Sequence, residues 1–217
     1  IKWGAILLSL ALIFGFVYFL TFVPWDFLAF LIPLRMFCLI VAGISGFLVT
    51  IYTGVLLASM KPHAFWNTPT LPILFLVSGV AIGAAVCMLC MGVWPAATSL
   101  AELFTQVALF SVLRYVALAL TALTGIMLLI NLLMVRSSSN KTGREITKRW
   151  TSGSYALLFW LVIVVLGCLV PIALFAADGY AATIVGSVLL LVTGLILRFM
   201  IVFSDGRRLM PGEKRFY

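Results

Sequence analysis

His63 is the one histidine of the chain, and it lies in a polar break between apolar runs rather than within one. A haem held between membrane helices needs axial ligands projecting into the bundle, commonly paired histidines, so a haem-carrying chain is not the reading here. The cysteines are Cys38, Cys87, Cys90 and Cys168. Cys87-Met88-Leu89-Cys90 places two sulfurs near one helix face, but a zinc or iron-sulfur site needs two more ligands, and nothing in the sequence converges on this pair. These cysteines read as small apolar packing residues, and the chain is expected to hold no haem or metal of its own. Chemistry is left to cations and hydroxyls in apolar surroundings. Arg114 stands some ten residues inside a long apolar run, roughly 15 Å from its start. A buried ionisable group in lipid is costly, and two readings stand side by side. The guanidinium either bonds backbone carbonyls or a carboxylate of another helix, or it takes part in a proton path or a contact with a quinone head group. Arg198 lies within two turns of the end of the last apolar run and is expected to snorkel to the headgroups. Arg35, at the start of a run, reads as interfacial. Tyr52 sits near the end of a run that also carries Thr50, Thr53 and Ser59. By itself it reads as an anchor in the aromatic belt, with a hydroxyl free to donate a hydrogen bond.

The elements that must position these groups are set by composition. Of 217 residues, 65% are hydrophobic and 9% charged, with a mean hydropathy of +1.26. That balance excludes a soluble globular domain and a disulfide scaffold, and it predicts an all-α, polytopic transmembrane helical bundle. Six apolar segments run from Trp3 to Val23, Leu34 to Ser59, Leu71 to Trp94, Leu103 to Val135, Tyr155 to Ala177 and Ala181 to Ser204. Pro and Gly mark most of the breaks, and the stretch from Ser137 to Ser152 reads as a polar loop. The sequence opens on Ile1, which leaves the N-terminus open, and Ile1 to Phe22 is taken as a span because no small-residue cleavage site follows it. The fourth segment, at about 50 Å, exceeds a bilayer core, and its Arg136 end is expected to protrude. Gly79 and Gly83 form a small-residue stripe suited to close helix approach.

The net charge of +8 acts as a topology signal rather than a nucleic-acid signal, because the basic residues sit in the breaks. Alternation places Lys2, Lys61, the run Arg136 to Arg149 and the tail with Arg207, Arg208, Lys214 and Arg215 on one side. The other side receives Asp26, Glu102 and Asp178, with Arg35 near its boundary. Eleven basic residues against one put the first side in the cytoplasm. The sequon Asn140-Lys141-Thr142 falls on that side and carries no weight.

Several motifs carry a resemblance. They are Tyr52-Thr-Gly-Val-Leu-Leu-Ala-Ser59, then Phe65-Trp66-Asn67-Thr68-Pro69, then Leu71-Pro72 through Ser78-Gly79 to Gly83-Ala84-Ala85. Farther on come Gly153 to Phe159-Trp160, Gly167, Val170-Pro171 and Gly194 to Arg198-Phe199. In this order they resemble the polysulfide reductase membrane-subunit family, NrfD-like. The resemblance implies an eight-helix subunit made of two four-helix bundles, of which the six segments here match helices three to eight. It implies an anchor for an iron-sulfur subunit, itself attached to a molybdenum enzyme or another redox subunit, that exchanges electrons with menaquinone or ubiquinone. Residues 1–60 would then be two helices of a first, incomplete bundle, 61–70 a partner-facing loop, 71–204 a four-helix bundle and 205–217 a basic tail. Tyr52 matches the tyrosine that donates to a quinone carbonyl, Arg114 an arginine in a proposed proton route, and Phe65, Trp66 and Asn67 a segment beside the iron-sulfur partner. The family's Leu-Gly-x-Pro-x-Arg segment has no counterpart, so part of the expected quinone pocket is not in this sequence. Well-known members place the redox partner outside the cytoplasm, whereas the charge count here predicts it inside, on the cytoplasmic face of the cell inner membrane. The alternative is an ion-conducting or transporter-type subunit using Arg114 and Glu102, against which stands the lack of an inverted repeat.

Overall fold

The computed structural model describes residues 2–21, 33–60, 66, 68–93, 100–137 and 141–203. The chain is an all-α membrane protein, with no strand among the described residues. We number its helices α1 (Lys2–Leu20), α2 (Arg35–Ala58), α3 (Thr70–Val93), α4 (Leu100–Ser137), α5 (Lys141–Ser152), α6 (Leu158–Ala176) and α7 (Tyr180–Val202). All but α5 are long and apolar enough to cross a bilayer, as the six-segment pattern predicts.

Each helix runs antiparallel to the next spanning one, and small residues set the closest approaches. Gly4 of α1 lies under the ring of Tyr52 on α2, and Phe14 meets Phe37 edge to face with ring centroids 5.8 Å apart. A Cβ on Gly54 of α2 would stand 2.6 Å from the Cα of Pro72 on α3. In lipid, apolar side chains gain nothing by leaving water, so backbone proximity of this kind is what joins helices. Gly79 of the expected stripe is such a contact, whereas a Cβ on Gly83 would meet nothing within 4 Å. Helices α3, α4, α6 and α7 pack in a ring, and α1 and α2 form a hairpin that joins it through α3.

The ring is filled at both ends. At the end where α3 and α6 start and α4 and α7 finish, Leu71, Leu74, Leu128, Val135, Trp150, Phe159 and Ile201 form a buried cluster. Toward the other end, Ala81, Ala85, Met88, Ala117, Phe175 and Leu190 form a second. Buried hydroxyls inside the helices of the ring are satisfied locally, Thr121 Oγ1 donating to the Ala117 carbonyl at 2.7 Å and Ser187 Oγ to that of Thr183 at 2.8 Å.

Two features differ from the sequence reading. The polar stretch expected as a loop contains α5, whose Ile146, Thr147 and Trp150 are buried while Arg144, Glu145, Lys148 and Arg149 face outward. Its apolar residues fall three and four apart, an amphipathic period that mean hydropathy conceals. The long helix α4 overhangs at its other end. Arg114 pairs with Asp178 in the α6–α7 turn and Phe110 stacks on Tyr180 at the start of α7, ring centroids 5.4 Å apart, so α4 continues past that turn by its first turns only, while α5 folds back over the Arg136 end.

Helix α6 is π-helical over Leu158–Leu169 and α-helical over Val170–Ala176. At the junction the Val170 N–H still donates five residues back, to Val165, and Pro171 then has no N–H with which to continue that ladder.

Candidate functional site

The sequence-predicted residues fall at opposite ends of the molecule. Tyr52 lies six residues before the end of α2, about 9 Å along the helix, at the end where α3 begins. Its half-buried ring covers Gly4, which only glycine permits, and its hydroxyl has no hydrogen-bond partner among the described residues. Thr50, two residues earlier, faces the other way and seats its methyl against Gly79 of α3.

Arg198 of α7 reaches the same glycine. Its Nη2 stands 3.4 Å from where a Gly79 Cβ would be, its Cζ is 5.9 Å from the centre of the Phe75 ring, and its buried Nε has no partner among the described residues. The expected snorkelling does not occur. Helical side chains lean toward the N-terminus of their own helix, and for α7 that direction leads away from the end where its charge would meet headgroups.

Trp66 turns inward as well. The indole is buried, and its Nε1 donates 2.7 Å to the Ile201 carbonyl, closing the chain before α3 onto the end of α7. Thr68 and Thr70 both donate to Oδ1 of Asn131, at 3.0 and 3.1 Å, tying the same segment to α4. Phe65 and Asn67 lie outside the described residues, as does His63. Asn131 is fully buried and was not singled out from sequence. The signal was there, as a lone amide in Ile130-Asn131-Leu132-Leu133.

Arg114 is at the far end. Its Nη2 pairs with Asp178 Oδ1 at 2.5 Å and donates to the Tyr115 hydroxyl at 3.1 Å, and Nη1 donates to the Ala177 carbonyl at 3.4 Å. Asp178 is 83% exposed, so the pair stands at the level of a solvated turn rather than between spans. It borders a cleft of about 400 Å³ lined also by Gln106, Phe110, Ser111 and Tyr180. Sequence counting missed this because Arg114 and Asp178 are 64 residues apart and which turn of α4 meets the α6–α7 turn is set by packing. Glu102 is within α4, but its side chain lies outside the described residues; Cys87 and Cys90 are exposed free thiols on α3.

Among the described residues Tyr52 and Arg114 therefore lie at opposite ends and share no site. What the two ends belong to is decided by comparison: the family described as polysulphide reductase, NrfD, matches residues 1–206. The chain belongs to the NrfD family. Protein NrfD of Escherichia coli (strain K12) is 29% identical over 161 residues, covering 70% of this chain and 48% of that protein. This NrfD-family chain thus spans about half the length of the curated relative it matches. No solved structure matches it.

Proposed function

We propose that this NrfD-family chain is the quinone-reactive membrane anchor of a multisubunit iron-sulfur oxidoreductase. The observation that carries the reading is the Tyr52 hydroxyl, half-buried near the end of α2, without a partner among the described residues, and held in place by the packing of its ring on Gly4. A phenol so placed can donate to a carbonyl of menaquinone or ubiquinone, and the quinone when bound would supply two-electron chemistry. Through that bond Tyr52 would orient the quinone ring. The electron partner is an iron-sulfur subunit, attached to a molybdenum enzyme or another redox subunit, docked at the end of the molecule where α3 begins and α5 lies. Supporting this position, the bonds of Trp66, Thr68 and Thr70 fix the base of the docking segment against α4 and α7. Phe65 and Asn67 are assigned to the contact itself, with Trp66 as its buried support. Arg114 and Asp178, beside the far cleft, are assigned to the mouth of a proton route.

Purification under mild detergent tests the reading. The chain should bring with it a protein whose visible absorbance bleaches on reduction, as iron-sulfur clusters do. A chain that purifies alone from its native membrane, in folded form, would mark a transporter or ion conduit.

We further propose that the basic end faces the cytoplasm, from the excess of Lys and Arg in short loops. Ser138→Cys, in a background without the native cysteines, should stay unlabelled by a membrane-impermeant maleimide on intact cells and react after lysis. Rapid reaction before lysis reverses the orientation.

A further inference from the structure

On the side of the ring away from α1 and α2, α4 and α6 touch chiefly through the last turns of α6 and separate toward the basic end, where α5 crosses the gap. The gap is a groove of about 710 Å³. Its floor is hollowed by Ala122 and Gly125, its walls are aliphatic, and Arg136 stands at its mouth with Trp160 and Ser152. Along α4 it runs from Ala122 to Arg136, about 21 Å. That is the depth of one bilayer leaflet with its headgroup layer, roughly 20–22 Å. Leu129, Leu133, Trp160 and Leu169 line it and are more than half exposed, so the groove opens sideways toward lipid.

The mouth is positively charged. Arg136 is exposed and makes no ion pair among the described residues, and Lys148 and Arg149 face outward from the adjacent α5. An uncharged quinone would use the apolar walls and leave this end unmatched. We propose that the α4–α5–α6 groove is a binding site for one anionic phospholipid, an acyl chain of it lying between α4 and α6 and its phosphate against Arg136. The site is separate from Tyr52, which faces α1, and does not depend on the proposed quinone chemistry. It gives α5 a second task, to hold a basic cap over a lipid bound by the α4–α6 pair.

The test uses the full chain with whatever subunits it retains, washed in detergent and then offered phosphatidylglycerol or phosphatidylcholine of equal chain length. Bound lipid is counted by native mass spectrometry and the melting temperature recorded. The wild type should retain about one phosphatidylglycerol per chain and favour it about fivefold, the contribution of one basic residue near a headgroup. Arg136→Gln should lose that preference while melting like the wild type without added lipid. Leu129→Trp, which fills the groove from its exposed wall, should lose retention of both lipids. Equal retention of the two lipids by the wild type, an undiminished preference in Arg136→Gln, unchanged retention in Leu129→Trp, or a co-purified quinone held there in place of lipid would each overturn the proposal.

Discussion

A complex carrying Tyr52→Phe is expected to lose about ten- to a hundredfold of its quinol-linked turnover while assembling in normal amount. A hydrogen bond to a carbonyl that gains charge is worth about 1.5–3 kcal/mol, which converts to that range. The protein itself should be unaffected, because the ring that covers Gly4 remains and the hydroxyl makes no bond to the described residues. The same variant should keep full activity with an artificial electron acceptor that bypasses the membrane subunit. Unchanged turnover with quinol, at matched subunit content, would remove Tyr52 from the quinone site.

The other large effect is structural. Gly54→Leu should detach the α1–α2 hairpin from the ring, since even a Cβ at that position stands 2.6 Å from the Pro72 backbone and 3.2 Å from Phe75 Cβ. Backbone cannot move aside as a flexible side-chain end can, and overpacking of well-fitted groups costs about 1–3 kcal/mol even when some relaxation is possible. The measurement is cross-linking between cysteines introduced on the facing sides of α2 and α3, at Thr50 and Gly79, which the variant should abolish. Gly43→Leu is the control, because a Cβ there meets nothing within 4 Å and cross-linking should persist. Equal yields in both variants would mean that this contact does not hold the hairpin.

The spans, their number and their order were legible because a bilayer imposes a simple length rule that apolar runs report directly. Residue surroundings were less so. Arg198 looked like a group near the surface because counting along α7 ignores which way its side chain leans. Arg114 looked deep because its partner, Asp178, is distant in sequence and the level of the α6–α7 turn against α4 is a packing property. Helix α5 was hidden by its charges, although Ile146 and Trp150 keep helical spacing. Tyr52 was found by resemblance rather than by chemistry. The feature that isolates its hydroxyl, a glycine on a different helix, is visible only once α1 and α2 are side by side.

The attachment of the hairpin through α3 bears on how the protein is made. Helices α1 and α2 precede the ring in chain order, so during synthesis they enter the bilayer before the surface that receives them exists. Until α3 emerges and Pro72 can seat against Gly54, α1 and α2 hold to each other by their own contacts, and the Tyr52–Gly4 packing can already be complete. The joint between hairpin and ring then closes after the hairpin's own packing, and membrane quality control would meet a failure at Gly54 as a hairpin detached from an otherwise formed ring rather than as a misfolded bundle.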